Sequence, residues 1–316
     1  MRYRLGMNAL SSWGFADPFL PPTKAGWLNV PLRFARLFAA IDVPAATDSD
    51  GLQKAAGITA TLNRTYWPHG AAEPAGLVSG SWGKGTRVHP SGDLDLIYIL
   101  PPEVYHRYQA RAGNRQSALL QEIKNLVAAS YPRTEMRGDG QVVVVDFTSI
   151  RVEVVPAFRT ASWTLLTCDT HYEGTYKVSD PHAEYAALDR ADWRAAGRVR
   201  RLVRLMKLWC RASGADLPGF SLEMLGSQFM QTWAHADWDW WDWMVRDFLA
   251  FLVTRANTWV YFPTTHESYW LGDGWVPRAL KALRAADAAC AYEAANLDAP
   301  AADQWCAIFG RRMFGA

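Results

Sequence analysis

The sequence lacks any marked imbalance of charge. Its 316 residues carry 33 basic and 31 acidic side chains, for a formal net charge of +2. A surface dedicated to duplex nucleic acid needs a cationic surplus, so duplex DNA is not an expected partner. Cysteine is also scarce. Cys168, Cys210, Cys290 and Cys306 lie far apart and form no C-x-x-C pair, which excludes the common zinc and redox motifs and leaves them as core thiols of a reducing compartment. His69, His89, His171 and His182 show no H-x-x-x-H spacing and receive no metal role. No run reaches about 18 uncharged apolar residues, so no transmembrane helix and no membrane association are expected. The basic start Met1–Leu5 is followed by neither an apolar stretch nor a small-residue cleavage pattern, so a secretory signal is not expected and the cytoplasm is the expected location.

What is present is apolar. Half of the chain is hydrophobic, enough to bury a sizeable core, and the length suits one large two-lobed domain or two tightly joined ones. From Pro31 to about Tyr66 apolar residues recur at helical spacing, with a turn expected at Asp48-Ser49-Asp50-Gly51. Between Leu77 and Phe158 short β-branched runs take over, at Leu94–Leu100, Val142–Phe147 and Val152–Val155, around a helix from about Gln116 to Ser130. After about Trp163 the strand signal fades, and from Asp180-Pro181, an acidic cap before a first-turn proline, the chain reads as helices. The Ala-rich stretch 282–302 suits a helix.

The segment Gly80-Ser81-Trp82-Gly83-Lys84-Gly85-Thr86, followed by Asp93-Leu94-Asp95-Leu96, carries the chemistry. In a strand, alternation puts Asp93 and Asp95 on one face and Leu94 and Leu96 in the core. Two carboxylates on one face suit a hard divalent cation such as Mg²⁺, which favours oxygen ligands and keeps waters. A nucleoside triphosphate needs such cations before an anionic nucleophile can approach its α-phosphorus. Gly80 and Ser81 suit the triphosphate, through close backbone approach and a hydroxyl donor. A third carboxylate is expected from a neighbouring strand, either Asp146 or Glu153, on the two sides of a turn at Thr148-Ser149. A P-loop is excluded, because Gly85 rather than Ser or Thr follows Lys84.

The order G-S, then D-h-D-h, then a later h-[DE]-h strand resembles the DNA polymerase beta-like nucleotidyltransferase superfamily. Within it, GSWGKGT with SGDLDLIYIL is similar to the CD-NTases, bacterial cyclic-oligonucleotide synthases of anti-phage signalling related to cyclic GMP-AMP synthase and oligoadenylate synthetase. The similarity extends over roughly residues 75 to 314, through Arg200–Trp209, Gly219–Leu225 and Trp305–Gly310. It implies an α+β fold, with a mixed-sheet nucleotidyltransferase lobe and N-terminal helices over 1–165 and a helical lobe closing the cleft over 166–316. Relatives carry the third acid in a strand running into Pro-Ala, which selects Glu153 in Val152–Phe158. By the same resemblance two Mg²⁺, with Mn²⁺ as a substitute, sit on Asp93, Asp95 and Glu153, Lys207 reaches the triphosphate and Phe220 stacks on a base. Where relatives commonly have serine before that aromatic residue, this chain has Gly219, with Ser221 on the far side.

The resemblance further implies nucleoside triphosphates as substrates, a cyclic di- or oligonucleotide second messenger as product, an effector protein that reads it, and an activating or modifying partner protein. A non-cyclising nucleotidyltransferase, acting on a linear oligonucleotide, an RNA 3′-end or a small molecule, would keep the same acids. Arg200, Arg204, Lys207 and Arg211 share one helix face. Lys207 is assigned to function, and Arg200 and Arg211 to solvated surface. The aromatic run Trp233–Phe248 is read as core packing.

Overall fold

The computed structural model describes residues 29–90, 92–235, 239–263, 265 and 267–310. Helices α1 (Asn29–Ile41) and α2 (Ala45–Tyr66) come first, then β1 (Gly76–Val78), the one-turn α3 (Gly80–Gly83), β2 (Leu94–Leu100), α4 (Pro102–Gln109) and α5 (Arg115–Ser130). Strands β3 (Glu135–Asp139), β4 (Val142–Asp146), β5 (Arg151–Arg159), β6 (Leu165–Asp169) and β7 (Thr175–Ser179) complete the sheet. Helices α6 (Pro181–Arg194), α7 (Arg198–Ser213), α8 (Gly219–Thr232) and α9 (Trp241–Val253) follow. A small hairpin, β8 (Trp259–Tyr261) and β9 (Ser268–Trp270), precedes α10 (Val276–Ala294) and α11 (Asp298–Phe309). The architecture is α+β, a mixed seven-stranded sheet joined to a helical lobe.

The main sheet runs β1-β2-β5-β4-β3, with β6 on the second half of β5 and β7 beyond it. The one parallel pair among the described residues, β2 with β5, positions the acids. The even-numbered residues of β2, with Val152, Val154 and Phe158 of β5, pack against Ile58 and Leu62 of α2 and Leu119, Ile123 and Val127 of α5 in one core. Ile97, Ile99, Ala157 and Leu165 form a smaller apolar cluster on the other face. Helical period 3.6 and strand period 2 account for these faces directly.

Three differences from the sequence reading have physical causes. Asp48-Ser49-Asp50-Gly51 lies inside α2 rather than in a turn. Asp48 sits in the first helical turn, where a negative charge is favoured, and Gly51 gives room to Trp82, whose ring would lie 2.5 Å from a Cβ there. Strand character continues past Trp163 into β6 and β7, the latter half-exposed and poor in apolar residues. The expected division at 165 thus falls at the first residue of β6. Helix α1 buries Val30, Phe34, Leu37 and Ile41 in the core of the C-terminal helices, with Phe34 5.2 Å edge-on to Trp305.

Other expectations agree with the structure. Asp180 caps α6 by accepting from Ala183 N at 2.9 Å. None of the four cysteines is in a disulfide, and Cys168 and Cys290 are buried. In the aromatic run, Trp241 is buried and Trp233 donates to Asp247 at 2.9 Å. Trp238 and Asp237 of that run, and the N-terminal Met1–Leu5, lie outside the described residues. Among the described residues no helix is long and apolar enough to cross a membrane.

Candidate active site

Asp95 is the second residue of β2, and its partner across the parallel pair is Glu153 of β5. Asp93 stands two residues earlier, on the same face by strand alternation. Leu94 and Leu96, pointing the other way, are 0% and 1% exposed, which anchors the register that keeps the acids out of the core. The three carboxylates therefore share one face at the start of two adjacent strands. Asp146, the reserve candidate, is engaged elsewhere. It accepts from Arg151 Nε at 2.6 Å and Arg137 Nη1 at 2.8 Å.

The electrostatics of the trio follow from this crowding. Burial first, then Asp93 and Asp95, pushes the Glu153 carboxyl up to about 7. Burial and then Asp93 likewise raise Asp95, against the pull of Lys84 and Lys207. Asp93 leans towards Arg151, 3.8 Å from its Nε, and among the described residues no three His, Cys, Asp or Glu side chains converge closely enough to hold a metal ion. The donor set still fits a hard divalent cation. It is all oxygen, and two of its members carry negative charge that burial and their neighbours disfavour.

A pH dependence follows. A carboxyl raised in the folded state contributes stability that is fully present below its unfolded value of 4.5 and is lost as pH rises through about 7. A divalent cation compensates most where Glu153 is ionised. Mg²⁺ should therefore raise the melting temperature more at pH 8 than at pH 6, by roughly 2–3 °C, and Glu153→Gln should remove the difference. Equal shifts at both pH values in differential scanning fluorimetry would refute this assignment of Glu153.

The Gly80-Ser81 loop lies against the acids. Ser79 N donates to Asp95 O at 2.8 Å. Gly80 has φ +55°, and a Cβ there would overlap the Asp95 carboxylate. After one turn of helix the loop folds on itself, Lys84 N to Gly80 O at 3.1 Å and Thr86 N to Ser81 O at 3.0 Å. The cationic face of α7 holds its continuation. Arg200 Nε donates to Lys84 O at 2.7 Å, Arg204 Nε to Arg87 O at 3.1 Å, Lys207 Nζ to Thr86 Oγ1 at 2.7 Å, and Arg211 Nη1 to Val88 O at 3.1 Å. Arg200 is thus half-buried rather than solvated surface, because a loop carbonyl takes the place of water, whereas Arg211 bonds the loop and keeps the exposed position expected of it.

Lys207 is drawn into the same neighbourhood, with a side chain 14% exposed. Phe220 lies in the first turn of α8, its ring 4.5 Å from Phe262 and 5.2 Å from Tyr269. Ser221 is fully buried and donates to Pro218 O at 3.0 Å, so it does not offer the hydroxyl absent at Gly219. Lys84 and Glu223, both buried beside Lys207, were missed in the sequence. Their signal in the sequence is weak, because Lys84 lies inside the glycine motif and Glu223 inside an apolar helix.

Comparison with known proteins bears on the fold that carries these residues. The CdnC of E. coli MS115-1, known with ATP and as a CdnC:HORMA-deltaN complex, superposes in its ATP form with a TM-score of 0.68 at 17% identity, covering 91% of this chain and 98% of that one. The CD-NTase CdnG of Bradyrhizobium diazoefficiens, in complex with GTP, gives 0.65 at 12% identity, covering 94% and 98%. The DncV cyclic AMP-GMP synthase of Vibrio cholerae, in complex with the linear intermediate 5′ pppA(3′,5′)pG, gives 0.61 at 13% identity, covering 90% and 88%. At these identities the likeness is one of fold. Among curated proteins none matches the chain in sequence. The profile of the Second Messenger Oligonucleotide or Dinucleotide Synthetase domain matches residues 29–191, just over half of the chain, and so the chain belongs to that family of nucleotidyltransferases.

Proposed function

We propose that the protein joins nucleoside triphosphates into a cyclic di- or oligonucleotide, with release of pyrophosphate, and that this product acts as a second messenger for an effector protein in bacterial anti-phage signalling. The observation that carries the reading is the pairing of Asp95 with Glu153 across two parallel strands, with Asp93 on the same face. Asp93, Asp95 and Glu153 would hold two Mg²⁺ ions, or Mn²⁺. Bound there, divalent ions lower the pKa of an acceptor ribose hydroxyl and neutralise charge at the α-phosphate and the leaving pyrophosphate.

The protein's own groups do the placing. Gly80 lets the loop approach the acids, and Ser81 follows it with a hydroxyl for the phosphates. Lys207 supplies a fixed cation for the triphosphate, where preorganised charge is most effective. Phe220 offers an aromatic face to a base, supported from behind by Phe262 and Tyr269. Because the Vibrio cholerae relative binds a linear intermediate, a first linear product here would re-enter the same site for ring closure. The HORMA complex of CdnC supports a role for an activating partner protein. The balanced charge argues against duplex DNA as the activator.

Incubation with Mg²⁺ and the four ribonucleoside triphosphates, beside an Asp93→Ala/Asp95→Ala control, tests the reading. A phosphatase-resistant cyclic oligonucleotide, detected by mass spectrometry and absent from the control, is the expected result. Linear products alone would reduce the activity to a non-cyclising transferase. A product that persists in the control would remove these acids from the reaction.

A further inference from the structure

Lys207 belongs to a group of buried charges of which the proposed reaction uses Lys207 alone. Glu223 of α8 is 2% exposed, and both of its oxygens are occupied. Oε1 accepts from Thr86 Oγ1 at 2.7 Å and Lys207 Nζ at 3.0 Å, and Oε2 accepts from Lys84 Nζ at 3.1 Å. Lys84 and Thr86 belong to the loop that follows α3 in the sheet lobe, Lys207 and Glu223 to the helical lobe. Lys84 also donates to Glu184 of α6 at 2.6 Å. The two lysines and two glutamates balance. Gly219 contributes by what it lacks, since a Cβ there would lie 2.8 Å from Lys207 Cε and would crowd the lysine out of its course across the start of α8.

A buried carboxylate is costly unless counter-charges and hydrogen bonds satisfy it, and packed apolar side chains often fill the same space as well or better. Stability alone therefore explains this arrangement poorly. Lys207 carries three donors. Thr86 and Glu223 take two of them, which leaves one N–H. Its partner Thr86 is bonded back to Ser81 O at 3.0 Å, in the loop whose Gly80 lies against the Asp95 carboxylate, so the ammonium stands at the loop where phosphates would lie beside the acids. A lysine on a flexible four-carbon stem loses considerable rotamer freedom when it must settle on a ligand, and here that loss precedes binding.

We propose that Glu223 is a positioning residue for the triphosphate, fixing Lys207 and Lys84 across the lobe boundary so that the remaining N–H of Lys207 meets the β- and γ-phosphates. This rests on the nucleotidyltransferase reading above. A strap that merely joined the lobes would weaken every nucleotide alike when cut. A positioning residue discriminates by phosphate number.

The test is equilibrium binding, with Mg²⁺, of ATP, GTP, AMP and GMP to wild type, Glu223→Gln, and the charge-balanced Lys84→Met/Glu223→Gln. The double variant keeps Lys207 and Glu184 as the remaining opposite charges, so it serves if the single variant folds poorly. Both variants are expected to bind the triphosphates at least about tenfold more weakly, as for loss of a charged hydrogen bond, with AMP and GMP changed less than about twofold. Wild-type triphosphate affinity in either variant overturns the proposal, as does an equal loss for both nucleotide classes. Failure of wild type to bind any triphosphate would overturn the functional reading too, whereas normal wild-type turnover with an unaffected Glu223→Gln overturns this proposal alone.

Discussion

Replacing Asp93 and Asp95 together by alanine is expected to cut nucleotide incorporation by at least about a thousandfold, roughly 4 kcal/mol of transition-state stabilisation, while the variant melts higher than wild type in metal-free buffer above neutral pH. Both halves come from one cause. The acids are held on one strand face by the burial of Leu94 and Leu96 on the other, and there they repel Glu153. Removing two of the three lets Glu153 titrate nearer its ordinary range. Wild type then loses more stability than the variant as pH rises from 4.5 through about 7. The gain should be on the order of 1 kcal/mol after solvent screening, grow with pH, and vanish with saturating Mg²⁺. Initial rates and melting curves on the same preparation decide the matter. A variant both inactive and less stable would show that the aspartates hold the fold together rather than wait for cations.

A second large effect is expected at Gly80. Its φ of +55° already disfavours a side chain, and the Cβ of an alanine would overlap the Asp95 carboxylate. Something must move, and the carboxylate is nearest. A displacement of about 1 Å at a reacting group can cost about a hundredfold in rate, so Gly80→Ala should lose about that much kcat. Gly85 supplies the comparison. It too has a positive φ, of +66°, but a Cβ there would lie 3.6 Å from Arg200 Nε, at ordinary contact. Gly85→Ala should therefore cost about 1 kcal/mol of stability with far less effect on rate. If the two variants were equally active, the close approach of Gly80 to Asp95 would have no catalytic importance.

How much of this was legible in the sequence depends on how local each signal is. Asp93 and Asp95 could be placed together because strand alternation involves only neighbours, and β2 begins and ends where its apolar run does. Opposing Glu153 to Asp95 requires the register of a parallel pair whose members are separated by two helices and two strands. No periodicity carries that, so residue patterns left Asp146 open and only the resemblance chose Glu153. The spacing of Arg200, Arg204, Lys207 and Arg211 revealed a common face but not its occupant, and carbonyl acceptors on residues 84–90 leave no trace in composition. Glu223 shows the same limit. A charge inside an apolar helix reads as an error or a surface residue until its partners, Lys84 and Lys207, are brought up from elsewhere in the chain.

The placement of α1 changes what the family segment means as a physical object. The matched stretch begins at residue 29 and ends at residue 191, yet the apolar side of its first helix is covered by α7, α9 and α11, all of which lie beyond its end. Arg33 of that helix is ion-paired with Glu293 at 3.0 Å and Asp298 at 2.5 Å, so its charge as well as its oily stripe is answered by the far end of the chain. The stretch is thus a unit of descent without being a unit of folding. Helix α1 and the pair α10 and α11 close on each other like a clasp, and the strands that bear the acids lie between them in the sequence.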